Sequence, residues 1–224
     1  MQNLQDKAYN YIYERIMNLR LQPGQQVSDL QFVKEIDVSR TPIREAMLRL
    51  RREELLYSMA QSGTFVTKID MQKALDAQYV RRVIETAIIR TLSADIDANE
   101  LDELIKIVID QRRVAEAKLL DQTFALDNLF HKRLYQFANK DNVWQWLQSF
   151  SNDLNRYRLL RVYDENLPLT LLSNEHKRIV DALTAHDTDR VTQLMTDHLN
   201  LMLKERAEVA ARFPEFFKNV PEQN

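Results

Sequence analysis

Along most of the chain, apolar residues recur every three or four positions between short polar interruptions. Val80, Val83, Ile84, Ala87 and Ile88 follow that spacing, as do Val191, Leu194, Met195, Leu199 and Met202. Such a repeat turns one stripe of an α-helix inward. It predicts helices near 5–19, 29–36, 40–54, 71–93, 98–119, 121–138, 142–161, 170–185 and 188–212. Asn139-Lys140-Asp141-Asn142 interrupts the pattern, and Asp187 is placed to cap the last helix. The period changes once: residues 55–60 and 64–67 are β-prone runs around Gln61-Ser62-Gly63, which predicts a hairpin.

The two glycines, Gly24 and Gly63, lie in the first third, and the chain beyond Met71 has none. A boundary therefore falls near Lys68-Ile69-Asp70. The expected fold is mainly α: a winged helix-turn-helix of three helices and a β-hairpin wing over 1–69, then an antiparallel all-α bundle of about six helices over 70–224.

The 224 residues include no cysteine, which excludes disulfides, thiolate metal sites and cysteine nucleophiles. A metal would need His, Asp or Glu. Membrane spans are not expected, since no apolar run approaches the ~20 residues a bilayer requires, and the cytoplasm is the expected location. Net charge is −2, but residues 1–68 carry 10 Lys and Arg against 8 Asp and Glu, hence +2. Arg40, Arg44, Arg49, Arg51 and Arg52 crowd one stretch of that part.

In the predicted helix-turn-helix, Val33 and Ile36 face inward before the turn at Asp37-Val38, Ser39 is positioned to cap the next helix, and Ile43, Met47 and Leu50 form its buried stripe. Arg40 and Arg44, four apart, project together from the outer face. The second helix of such a motif reads base edges in the major groove of DNA.

Leu21-Gln22-Pro23-Gly24 followed by Val38-Ser39-Arg40-Thr41-Pro42-Ile43-Arg44-Glu45-Ala46 resembles the signature of the GntR family of transcription regulators. The resemblance implies DNA contacts for Arg40 and Arg44, with Thr41 and the wing residues Gln61, Ser62, Gly63 and Thr64 against phosphates or the minor groove. Ser39 and Arg49 complete the expected DNA-binding set. Three positions where glycine is common in the family carry Leu19, Asp37 and Glu54.

The histidines are His131, His176, His186 and His198. His176 and His198 fall inside apolar stripes, and His131 follows Asp127 by one turn on a face shared with Phe130 and Leu134. One histidine on an apolar face is usually a satisfied core residue. Three of them with an aspartate, from three helices, point instead to a cation, because burying so many polar groups unpaired is costly and bundles build metal sites from facing helices. Asp127, His131, His176 and His198 are the expected ligands of one divalent transition metal per chain, zinc first, with nickel, manganese or iron as alternatives. His186, at a helix end beside Asp187, reads as a surface residue.

Asp127-Asn128-Leu129-Phe130-His131, Asn174-Glu175-His176 and Asp197-His198-Leu199 resemble the ligand pattern of the FCD sensor domain of the FadR-type branch of GntR regulators, and six helices after the linker resemble its VanR-like subgroup. Val80-Arg81-Arg82-Val83-Ile84-Glu85 matches that domain's first helix, which implies that Arg81 meets a ligand carboxylate; a plain helical ion pair with Glu85 is the competing role. Asn152, Arg156 and Arg158 are further candidates for lining an effector cavity. The expected protein is a repressor that acts as a homodimer on a palindromic operator in double-stranded DNA and answers to a small organic acid. A direct metal sensor and a metal-dependent hydrolase are the competing functions; no phosphate loop or nucleophile motif supports the hydrolase.

Overall fold

A computed structural model describes residues 3–221. The chain divides into two compact units, Met1–Gln72 together with Ala210–Asn224, and Lys73–Val209. In the first unit, α1 (Leu4–Met17) is followed by the two-residue strand β1 (Gln26–Val27), α2 (Asp29–Ile36) and α3 (Arg40–Arg52). Strands β2 (Leu56–Met59) and β3 (Gly63–Val66) then form the expected hairpin. β1 adds to its edge, so the sheet runs β1-β3-β2, all antiparallel.

Asn3 caps α1 by accepting from the Gln5 amide, and Ser28 caps α2 by accepting from Gln31. Ile12, Ile16, Phe32, Ile43, Leu50, Leu55 and Val66 are fully buried and close the core. Phe32 fills the centre of α2, while the expected Val33 and Ile36 are only partly buried. The capping bond expected of Ser39 is not made. An N-cap side chain reaches the amide of the second or third helical residue, and the third here is Pro42, which has no N–H.

Leu19, Asp37 and Glu54 all take left-handed backbone, with φ of 59°, 51° and 58°. Each ends a helix without the glycine that usually supplies this geometry, at a cost of about 1–2 kcal/mol for an ordinary side chain and less for Asp.

The second unit comprises α4 (Met71–Asp95, whose first two residues fall in the first unit), α5 (Ala98–Glu116), α6 (Leu120–Phe137), α7 (Asp141–Phe150), α8 (Asn152–Tyr163), α9 (Thr170–Thr184), α10 (Thr188–Leu199) and α11 (Leu201–Arg212, its last residues in the first unit). α5 packs on α6 and α9, and α9 on α10, around Ile89, Leu104, Phe130, Ile179 and Met195. Asp97 and Glu100 form a reciprocal capping box at the start of α5, and Asp187 caps α10 as expected.

Two of the six predicted helices are broken. The serine hydroxyl of Ser151 donates to the Leu147 carbonyl at 2.6 Å, a bond that bends helices, and α7 gives way to α8 there. At the other break Gln78 of α4 donates its side-chain amide to the Leu199 carbonyl, and the Leu203 amide turns to Asn200 at 3.0 Å. Neither partner is visible in a local periodicity.

Residues 70–224 were expected to form one domain, but the C-terminal segment returns to the first unit. Strand β5 (Phe217–Lys218) pairs in parallel with β4 (Ile69–Asp70), and Asp70 accepts from the Asn219 side chain at 2.9 Å. Two-residue strands carry no readable period. α4 starts directly after β4 and α11 leads towards β5, so both connections of the chain between the units adjoin this small sheet.

Replacing exposed Glu54 by glycine is expected to stabilise the protein by about 1 kcal/mol in denaturant titration, because it removes left-handed strain without emptying the core. Leu19→Gly relieves the same strain but deletes a side chain that is only 8% accessible, whose burial is worth about 1.5–3 kcal/mol, and is expected to destabilise. Equal effects of the two substitutions would contradict this account.

Candidate metal centre and nucleic-acid interface

At about 100° per residue, positions 40, 44 and 51 of α3 lie within about 40° of one another, and position 49 points about 180° away from position 40. The structure follows this. Arg40, Arg44 and Arg51 border a concavity of about 580 Å³ that also takes in Asp29, Gly63 and Thr64. The Asp29 carboxylate, at the start of α2, accepts from Arg40 Nε at 2.7 Å and Nη2 at 3.2 Å and from Arg44 Nε at 2.7 Å. These bonds, Arg40's foremost, hold its pKa down to about 2. Both guanidinium groups remain largely exposed, at 51% and 61%. Arg51 donates to Ser58 Oγ at 3.1 Å, and Ser58 is hydrogen-bonded to Thr64 at 3.0 Å, which ties α3 to the wing. At the wing tip Gln61 is left-handed, and Gly63 has φ of 113° with space for a Cβ taken by the Gln26 side-chain amide at 2.7 Å.

In the second unit, Asp127 and His131 lie one turn apart on α6, His176 on α9 and His198 on α10. All four are buried, and their candidate ligand atoms lie within 4.8 Å of one another. The three imidazoles point Nε2 inward: His176 to His198 at 3.1 Å, His198 to His131 at 3.3 Å. Their Nδ1 atoms point outward. His176 Nδ1 meets Gln111 Oε1 at 2.9 Å and His198 Nδ1 meets Glu175 Oε2 at 2.8 Å. His131 Nδ1 lies 2.7 Å from Glu85 Oε2, off the line of a well-formed hydrogen bond.

Burial pushes His176 down to about 3 and His198 down to about 4, and holds His131 well below the ordinary histidine range. Each ring is therefore neutral at pH 7 and carries one proton. With Nδ1–H turned to the outer oxygens, the Nε2 atoms present bare lone pairs to each other. Asp127 adds Oδ1, buried with no hydrogen-bond partner and 3.7 Å from His176 Nε2, while burial and Arg158 compete over its charge and Arg158 wins, keeping it ionised. Nitrogens bound to one ion at about 2.1 Å stand about 3.0–3.4 Å apart for right-angle to tetrahedral arrangements. The donor set and its spacing fit a divalent transition metal.

Beside these ligands lies a cavity of about 50 Å³ bordered by Arg81, Asp127, Arg158, Arg161 and His198. Arg81 donates to Glu85 at 2.8 Å and is 5% exposed, so the helical ion pair and the cavity position coexist. Arg158 donates to Asp127 Oδ2 and, at 3.1 Å, to Asn155.

The family pattern described as "Bacterial regulatory proteins, gntR family" matches residues 4–66, and the FCD domain pattern matches 76–201. The HTH-type transcriptional repressor RspR of Escherichia coli K12 is 30% identical over 88% of this chain and 86% of its own length. The chain belongs to the GntR family and carries an FCD domain. This architecture fits the FadR-type branch, and the regulator is a DNA-binding transcription factor, not an enzyme. A regulator from an unstable DNA locus of Streptomyces ambofaciens is 29% identical over 93% of this chain and 87% of its own. Among solved structures, E. coli McbR/YncC shares the fold at a TM-score of 0.74 and 18% identity, covering 95% of this chain and 100% of that one. A GntR-type regulator from Rhodococcus sp. RHA1 does so at 0.71 and 21%, covering 92% and 97%.

In this GntR regulator the arginines of α3 divide between two sides of the helix. Arg49 lies over the Tyr9 ring at 3.7 Å and bonds Glu53 at 3.1 Å, on the side of α3 turned to α1. Arg51 takes its place in the concavity, and the spacing 40, 44, 51 was the signal for it. Thr41 and Ser39 are exposed at the start of α3. Of the effector candidates, Arg81 and Arg158 border the FCD cavity; Asn152 and Arg156 do not. Residues two apart on a helix point in nearly opposite directions, and Arg156 instead bonds Asp153 at 2.7 Å. Arg161, three residues after Arg158, was missed. So were the outer partners of the histidines, although Gln111 interrupts the stripe Leu104, Ile107, Val108, Val114 as the histidines interrupt theirs. His186 bonds the Ser93 carbonyl at 2.8 Å, away from the cluster.

Asp29 is depressed when folded, so the stability it contributes is whole above the unfolded carboxyl value near 4 and is lost as pH falls through about 2. Carboxyl NMR should place its midpoint near 2, and Arg40→Ala should move it up towards the ordinary range. A midpoint near 4 in the unmodified protein would contradict the clamp.

Proposed function

We propose that this GntR regulator is a cytoplasmic homodimeric repressor whose operator affinity is set by a small organic acid bound at a metal centre of the FCD domain. The observation that carries the reading is the convergence of three buried Nε2 atoms at 3.1 and 3.3 Å with the Asp127 carboxylate, beside a cavity that holds arginines. His131, His176, His198 and Asp127 would hold one divalent ion per chain, zinc by preference. Bound there, the ion would supply Lewis acidity to an oxygen of the effector. Gln111, Glu175 and Glu85 orient the imidazoles, Arg158 holds Asp127, and Arg81 offers an N–H donor to an anion. An acid touching Arg81 of α4 and Arg161 of α8, which is bonded to Glu205 of α11, acts on the two helices adjoining β4 and β5 in the chain. It changes DNA binding to the extent that it favours one arrangement over another.

At the other end, Arg40, Arg44 and Arg51, with Ser39 and Thr41, are the groups offered to the major groove, and Gln61, Ser62, Gly63 and Thr64 of the wing are offered to the backbone. The wing tip has no Lys or Arg between 60 and 66, so α3 dominates the reading. One winged helix covers a small stretch of DNA, and a dimer on a palindrome doubles it.

The test uses an operator selected from random DNA by the purified protein, with binding followed by fluorescence anisotropy. Arg44→Ala is expected to lose about 1–3 kcal/mol on the selected site and much less on unrelated DNA. An equal loss on every sequence would reduce Arg44 to a phosphate contact.

His176→Ala and His198→Ala are each expected to lose the metal by elemental analysis and the response to organic acids, while keeping operator binding and helical circular dichroism. Metal content and response equal to the unmodified protein would return both histidines to the role of core residues. A change in operator affinity on adding metal alone would favour the direct metal sensor.

A further inference from the structure

Two of the arginines at the FCD cavity keep one buried N–H each that no group in the protein accepts: Nη2 of Arg81 and Nη1 of Arg161. Both residues are 5% exposed. Arg81 spends Nε on Glu85 at 2.8 Å, and Arg161 spends Nε and Nη2 on the Glu205 carboxylate, the latter at 2.9 Å. Arg158, by contrast, is used on Asp127 and Asn155. A buried charged donor without an acceptor is costly to keep. Neither the i,i+4 pair of Arg81 with Glu85 nor the α8–α11 pair of Arg161 with Glu205 uses these donors, and both arginines border the cavity. Its wall also includes the apolar side chains of Phe124, Val162, Leu172 and Met202.

We propose that the ligand of this cavity is a short dicarboxylate, with one carboxylate between Arg81 and the histidine–aspartate cluster and the second on Arg161. This rests on the reading of the cavity as the effector site. A cavity with two unmet cationic donors and apolar wall residues matches a ligand with two anionic ends joined by methylene carbons, and a carboxylate spent on Arg81 would leave the Arg161 donor unmet. Because Arg161 is held by Glu205 of α11 and Arg81 lies on α4, a ligand with two anionic ends would join these two helices.

The experiment is calorimetric titration of the full-length zinc-loaded protein with malonate, succinate and glutarate against acetate, propionate and butyrate, with inorganic phosphate as a second dianion. At least one dicarboxylate is expected to bind about tenfold or more tighter than every monocarboxylate and than phosphate, the ratio one charge-assisted hydrogen bond supplies. Arg161→Gln should bring that ratio within about twofold while monocarboxylate affinity stays put. The double variant Arg161→Gln/Glu205→Gln, which leaves no buried lone charge, should do the same if the single variant folds poorly. Equal affinity of mono- and dicarboxylates, or tight binding of phosphate, overturns the dicarboxylate assignment and leaves the acid-at-metal reading standing. No binding of any acid overturns both.

Discussion

Three buried imidazoles whose Nε2 atoms face one another at 3.1 and 3.3 Å, beside a buried carboxylate, set the terms for the rest of the second unit. Burying so many polar groups is costly, and a cation at their centre is what this donor set suits. The rings come from α6, α9 and α10, and their outer nitrogens are held by side chains of α4, α5 and α9. Packing, tautomer and charge are thereby one problem with one solution. The fully buried core around Phe130, which stacks on His176 at a centroid distance of 4.0 Å, keeps water from screening it.

The first unit is organised around a smaller version of the same idea. A single carboxylate, Asp29, fixes the two exposed arginines of α3, Arg40 by Nε and Nη2 and Arg44 by Nε, so side chains with much conformational freedom are pre-ordered before any DNA arrives. An arginine held in this way loses less entropy on binding a base edge, and its planar fork keeps its direction. The left-handed ends at Leu19, Asp37 and Glu54 are where the chain departs from the backbone's own preference to bring these helices together.

Much of this was legible in the sequence because both sites use side chains repeated at the helical period. The ligand set Asp127, His131, His176 and His198 stood out as polar interruptions of apolar stripes, and the structure brings all four together. Direction within a turn was harder to read: Arg49 was grouped with Arg40, but nine residues carry it to the opposite side of α3, and Arg156, grouped with Arg158, does not border the same cavity. The break at Asn200 and the return of 217–218 to β4 depend on a partner distant in sequence and on two-residue strands, while the break at Ser151 turns on a hydroxyl bond within one helical turn that the apolar period does not show. The left-handed positions were visible as missing glycines, but their geometry was not.

The central claim is that the inward Nε2 atoms and Asp127 hold a divalent ion, and X-ray absorption at the zinc edge of the loaded protein tests it without reference to DNA or effector. The account predicts a first shell at about 2.0–2.2 Å containing three imidazole nitrogens, recognisable by the outer-shell scattering of their rings, and at least one carboxylate oxygen. A shell of oxygens alone, without imidazole scattering, would contradict it.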